Sequence, residues 1–185
     1  IDPILDTVAG GSITVEADAA NDESVSVSDA STVTAKAGVN SGAFGSLALD
    51  NTDTTSLTVT SASATFDIDT NVLSNTDALT SITLSTTGAS AADGNVVVGT
   101  IADIDNLTSL TYNASGGDIT SEAIGGTGTG EKLATIDIDA ADGATLTIAT
   151  ITMDTTDSAV GVAENALTFT IDSDASSDCL LYTSP

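Results

Sequence analysis

The sequence predicts an all-β fold, a right-handed parallel β-helix (β-solenoid) with coils of about 25 residues. Three observations predict it. The composition favours strands and turns, short runs alternate apolar and polar residues, and those runs recur at a nearly constant spacing.

Composition comes first. The 185 residues carry 27 acidic side chains against two basic ones, Lys36 and Lys132, with no Arg and no His, for a net charge of −25. Such a charge is common in disordered chains. Here a hydrophobic content of 41%, rich in Val, Ile and Leu, supplies enough apolar surface for a core. Thr, Val and Ile favour pleated strands, while Asp, Asn and Gly favour turns. The same balance excludes nucleic-acid binding, because so acidic a surface cannot neutralise phosphates. Membrane insertion is not expected either: Val96-Val97-Val98 is typical of the longest apolar runs.

The alternation is explicit. Ile13-Thr-Val15, Leu57-Thr-Val59, Ile82-Thr-Leu84, Leu110-Thr-Tyr112, Ile136-Asp-Ile138 and Leu167-Thr-Phe169-Thr-Ile171 each place apolar residues on one side. Turn clusters such as Asn51-Thr-Asp53 and Gly116-Gly117 separate them. The segments starting at Ala78, Asn106 and Lys132 share the pattern x-Leu-x-x-(Ile/Leu)-x-apolar, which spaces Leu79, Leu107 and Leu133 by 28 and 26 residues. Earlier copies place Val33 24 residues before Leu57, and Leu57 25 before Ile82.

Several repeats carry three apolar clusters. One reads Leu57/Val59, Phe66/Ile68, Val72/Leu73; another reads Ile82/Leu84, Val96/Val98, Ile101/Ile104; a later one reads Ile136/Ile138, Leu146/Ile148, Ile151/Met153. Three strands per repeat is what one coil of a three-sided parallel β-helix requires. The alternative is a set of tandem immunoglobulin-like β-sandwich modules, also all β with closely spaced strands. The repeat, the scarcity of Pro and the lack of a core Trp or Tyr corner weigh against it. Residues 1–30 fit the period worst and are expected to form an irregular N-terminal coil or the edge of a preceding repeat. Residues 31–174 form the solenoid proper.

The last residues, 175–185, read as a disordered tail. Within it, Cys179-Leu-Leu-Tyr-Thr-Ser-Pro185 departs from everything before it and resembles a translated sequencing-adapter artefact. Setting aside Cys179, the body has no cysteine, hence no disulfide and no thiolate metal site. The chain opens at Ile1 without Met or a signal peptide, so an export signal is expected outside it.

The stretches Leu107-Thr-Ser-Leu-Thr-Tyr-Asn-Ala-Ser-Gly-Gly and Leu133-Ala-Thr-Ile-Asp-Ile-Asp-Ala-Ala-Asp-Gly-Ala-Thr-Leu-Thr resemble the Thr/Ala/Asp-rich repeats of bacterial S-layer proteins and large repetitive surface adhesins. The resemblance is carried by the segment from Leu79 to Met153, covers about 100 residues and rests on low-complexity composition. It implies an extracellular, cell-surface protein that self-assembles or adheres, often with calcium. Its partners would be other copies or other repeats of the same surface protein, and glycans. Two departures count: the calcium nonapeptide Gly-Gly-x-Gly-x-Asp is missing, since Gly125-Gly-Thr-Gly-Thr-Gly130 has Gly where Asp is needed, and no anchoring module is visible.

Without His, Arg or a usable Cys, nucleophilic triads and imidazole-ligated zinc cannot form. A non-enzymatic role is expected. A polysaccharide-cleaving β-helix enzyme would find paired carboxylates here, but almost no basic residues to meet an acidic substrate. A carbohydrate-binding solenoid module is the other alternative, reading a regular polymer through outer Thr, Asn and Asp, although few aromatics are available to stack on sugars. Asn106-Leu-Thr and Asn113-Ala-Ser match a glycosylation acceptor pattern that arises readily in a Thr/Ser-rich chain.

The Asp-x-Asp pairs are the one candidate constellation: Asp67/Asp69, Asp103/Asp105, Asp137/Asp139 with Asp142, and Asp172/Asp174. Each pair brackets an inward apolar residue or leaves a strand, so its carboxylates share the outer side. Stacked coils would bring such charges close, and a hard, oxygen-seeking cation such as calcium relieves the repulsion. Calcium is therefore the one expected cofactor, against the simpler reading that these acids keep a rod soluble and blunt its edges. The pairs fall on different faces, so no continuous ladder of them is expected.

Overall fold

The structure is a computed structural model that describes residues 4–17, 23–37, 44–61, 66–68, 73–86, 96–98, 104–114, 118–125, 132–140, 144, 146–152 and 168–173. Among them lie thirteen strands: β1 (Ile4–Ala17), β2 (Glu23–Ala37), β3 (Phe44–Ala48), β4 (Ser56–Ser61), β5 (Phe66–Ile68), β6 (Leu73–Ser74), β7 (Ser81–Thr86), β8 (Val96–Val98), β9 (Ser109–Ala114), β10 (Ile119–Gly125), β11 (Thr135–Ala140), β12 (Leu146–Thr152) and β13 (Thr168–Ser173).

Every pairing among the described strands is parallel. This is a β-solenoid and not a sandwich, whose sheets would be antiparallel. One side runs β1-β2-β4-β7-β9-β11-β13, a second runs β5-β8-β10-β12, and a third joins the first half of β2 to β3 and β6. Three sides thus wrap one core. The third side differs in one respect from the apolar clusters in the sequence. Ile151 does not open a strand of its own but continues β12 from Leu146 and Ile148. Ile101, Val72 and Met153 lie outside the described residues.

The period is real and uneven. Ile13, Val33, Leu57, Ile82, Leu110, Ile136 and Phe169 are register neighbours, one per strand. So are Val15, Ala35, Val59, Leu84, Tyr112, Ile138 and Ile171. Side chains alternate strictly along β7 and β9, buried at every second residue, as the pleat demands. From β4 to β13 the pairing on this side has no register shift, whereas β1 and β2 slip at Asp6–Gly11. Gly10, at φ +82, and Gly11 make that bulge. A Cβ on Gly11 would sit 2.8 Å from the Val8 carbonyl oxygen, so no larger residue fits there.

A further inward column stands at the corner before the first side. Ala30, Thr54, Leu79, Leu107 and Leu133 each lie three residues before a core position, and all are buried. The shared Leu of the sequence repeat is this column. Thr54 takes the place of the leucine in its coil and spends its hydroxyl internally: Oγ1 donates to the Ala30 carbonyl at 2.8 Å and accepts from the Asp50 N–H at 3.1 Å. Thr54→Val keeps the shape but strands both partners. It should cost about 1–3 kcal/mol in urea unfolding.

Among the described residues Tyr112 is the largest fully buried side chain. Burial pushes its phenol well above its usual range, and the nearby Ser121 hydroxyl offsets only part of that. The two hydroxyls do not meet in hydrogen-bonding geometry, and neither has another partner among the described residues. Tyr112→Phe removes one of them without opening a cavity. Its melting midpoint should match or exceed that of the parent.

Candidate functional site

The outward positions of the first side form three columns. Ser12, Thr32, Ser56, Ser81, Ser109 and Thr135 make the first; Thr14, Thr34, Thr58, Thr83, Thr111 and Asp137 the second; Glu16, Lys36, Thr60, Ser85, Asn113 and Asp139 the third. β13 extends them in register with Thr168, Thr170 and Asp172. Over the first five strands the first two columns are Ser or Thr at every position, in a chain of net charge −25. Thr is stiff at χ1 and stacks well on like neighbours.

The expected aspartates distribute as follows. Asp137, half-buried, and Asp139, exposed, sit on the outer surface of β11, with Asp139 between Asn113 and Asp172 in register. Asp67 is on β5, on the second side, paired with Val97. Asp105 is exposed at a turn after the buried Ile104. Asp69, Asp103, Asp142 and Asp174 lie outside the described residues. Among the described residues no three of these nine come within reach of one ion.

The corner before the first side carries a second system. Main-chain bonds climb it coil by coil: Thr55 N–H to Ser31 O, Thr80 N–H to Thr55 O, Thr108 N–H to Thr80 O and Ala134 N–H to Thr108 O, all 2.9–3.0 Å. The hydroxyls of Thr80 and Thr108 donate to the same carbonyls at 3.1 Å. Beside them runs a chain of polar side chains. The Asp29 N–H donates to Asp50 Oδ2 at 3.1 Å, and the Asp77 N–H to Asn51 Oδ1 at 3.4 Å. Asn106 Nδ2 donates to the Asp77 carbonyl at 2.6 Å, and Lys132 Nζ to Asn106 Oδ1 at 2.5 Å. Each bond spans one coil.

This corner gathers three carboxylates, Asp29, Asp50 and Asp53, with one oxygen of each within 4.8 Å of the others. Asp29 sits at φ +58, where β2 turns from the third side to the first. Its carboxyl is raised above the ordinary range, by desolvation first and then by the charge and hydrogen bond of Asp6 and the charges of Asp53 and Asp50. Asp50 moves the other way, held down to about 2 by hydrogen bonds from the Thr52 N–H, the Asp29 N–H, the Thr52 hydroxyl and the Asp53 N–H. Asp50 Oδ1 alone accepts three bonds, from Thr52 N, Thr52 Oγ1 and Asp53 N, at 2.8–3.2 Å.

Those bonds decide what the triad does. Calcium needs six to eight oxygens with free lone pairs. Asp50 is already committed to four donors, so the triad does not fit a resident calcium ion. It is a turn cap that ties one coil to the next. Asp50→Ala should lower the melting midpoint, while Asp53→Ala, which removes only a repelling charge, should not.

None of the three was among the expected ligands. The signal was present in part: Asn51-Thr-Asp53 reads as a turn, and Asp29 and Asp53 are one coil length, 24 residues, apart. Alternation could not find them, because corners carry no period-2 pattern. Fold and site together define the class, a parallel β-solenoid with a hydroxyl-covered side and a hydrogen-bonded polar corner. No family model matches this chain, and no curated protein or solved structure does either.

Proposed function

We propose that the chain is a non-catalytic structural or adhesive repeat region of a secreted bacterial cell-surface protein, S-layer-like or adhesin-like. One observation carries the reading: the first side repeats the same outward residue type strand after strand, so it offers a periodic wall. An uninterrupted core and coil-to-coil bonds at the corner give such a region length and resistance to proteolysis. The acidic surface keeps it soluble outside the cell.

Immunolabelling of intact, unpermeabilised cells of the source organism tests the location. Decoration of the surface is expected, and label that appears only after permeabilisation rejects the reading. Calcium is a separable part of it, supported by the register of Asp139 on Asp172. If calcium stiffens the rod, millimolar calcium raises the melting midpoint more than magnesium at equal ionic strength, and excess chelator reverses the gain. An unchanged midpoint removes calcium.

The Ser/Thr columns favour a second reading, a carbohydrate-binding module. Tyr112, the aromatic of the first side whose side chain is described, points into the core, where it cannot stack on a sugar. A glycan array without a hit retires it.

A further inference from the structure

We infer that the outward face of β2, β4, β7, β9 and β11 is a self-association surface on which a second copy of this chain docks face to face about a two-fold axis along β7. The inference deepens the proposed self-assembling role by naming the contact face.

Charge selects the face. A chain of net charge −25 meets its own copy against strong like-charge repulsion, so close approach favours a patch poor in acids and one whose acids meet a base or a donor. From β2 to β9 the first two outward columns hold Thr32, Ser56, Ser81, Ser109 and Thr34, Thr58, Thr83, Thr111, and none is charged. All eight are half-buried, so each keeps part of its surface open to a partner, although the Ser81 hydroxyl also donates to the Thr55 carbonyl at 3.5 Å.

Chemistry favours a copy as the occupant. A hydroxyl is both donor and acceptor, so a Ser/Thr face complements itself and an isologous contact needs no second surface type. The two-fold axis along β7 places Ser81, Thr83 and Ser85 against their own counterparts. It sets Thr58 against the partner's Thr111, since β4 and β9 flank β7 symmetrically. In the third column the same operation brings Lys36 on β2 opposite the partner's Asp139 on β11, twice per dimer. Both side chains are exposed. One of only two basic residues in the chain thus meets an acid. Thr34 faces the partner's Asp137 as a hydroxyl donor.

Area sets the strength. Five strands about 4.8 Å apart and six residues long at about 3.3 Å each present about 480 Å² per copy. Over both copies that is about 960 Å², at the weak, reversible end of specific interfaces, as an array contact requires.

Sedimentation equilibrium of the purified chain over a wide concentration range tests this. A reversible monomer–dimer equilibrium is expected, tightening when salt screens the net charge. Thr83→Glu puts two like charges together on the axis and should abolish the dimer. Thr120→Glu, exposed on β10 of the second side, should leave it intact. Lys36→Asp should weaken the dimer, and adding Asp139→Lys should restore it. Circular dichroism and the melting midpoint check that each variant is folded. A monomer at every concentration overturns the inference, as does a dimer indifferent to Thr83→Glu or a charge swap without rescue. These outcomes are read on the chain alone, so a failed dimer leaves the surface location standing, and intracellular label leaves the dimer standing.

Discussion

Replacing Leu107 with Ala is expected to lower unfolding stability by about 2–5 kcal/mol, against a typical domain total of about 5–15 kcal/mol. Leu107 is fully buried at the corner, with Leu79 and Leu133 as its counterparts in the coils on either side. Its backbone is fixed as well: its N–H donates to the Ile104 carbonyl at 3.2 Å, and the next residue, Thr108, is tied to Thr80 by two bonds. The walls of the cavity therefore cannot collapse into it, which places the cost high in the range. Solenoid stability is close to a sum over coils and their interfaces. A defect in one coil weakens its contacts with both neighbours, and the unfolding transition should broaden as it moves down. Leu79→Ala and Leu133→Ala should behave alike. A loss below about 1 kcal/mol in urea unfolding would show that the corner column is not packed as described.

The second large effect is with pH. Lowering the pH from 7 towards about 4–5 should raise the melting midpoint, and lowering it further, below about 3, should reverse the gain. Two causes act on the upper arm. Self-repulsion among the excess negative charges fades as carboxylates protonate. Asp29, raised in the folded chain, binds its proton more readily there than when unfolded, so protonation favours folding. Asp50 acts in the opposite sense. Held down to about 2, it favours the fold above the ordinary carboxylate range and loses that contribution as pH falls from about 4 to about 2. Calorimetry across pH is the measurement. A midpoint that falls steadily from pH 7 downwards contradicts the argument. Asp50→Asn should flatten the acid arm, and sodium chloride at pH 7 should raise the midpoint by screening.

Much of the first side was legible in the sequence. The spacing of Val33, Leu57, Ile82, Leu110 and Ile136 is the strand register itself, because a parallel stack sets equivalent residues one coil apart. The shared Leu at 79, 107 and 133 marked a second inward column for the same reason. That column could not be followed further back. Ala30 and Thr54 fill it with a smaller or a polar side chain, and Thr54 is tolerable only through bonds to Ala30 and Asp50 that no local pattern announces. The end of the third side was misjudged at Ile151, where a strand runs on through a point at which apolar spacing implied a turn.

The acids were harder. Asp137 and Asp139 stand outward on one strand, as alternation requires. Asp29, Asp50 and Asp53 converge through backbone turns and a left-handed φ, and these depend on how consecutive coils meet at a corner. Nor does a count of carboxylates describe Asp50, whose oxygens are occupied by N–H and O–H donors.

The slip between β1 and β2 has a mechanical corollary. Tension along the stacking axis loads the coil-to-coil bonds in series, so the rod parts at its weakest junction and not throughout. On the first side every described junction, the first included, is an unbroken six-residue ladder, and the interruption between Asp6 and Gly11 lies at the corner that leads the first coil onto that side. Pulled along that axis, the rod should open first at such a bulged corner, where no ladder shares the load, while the straight ladders of the first side hold longer.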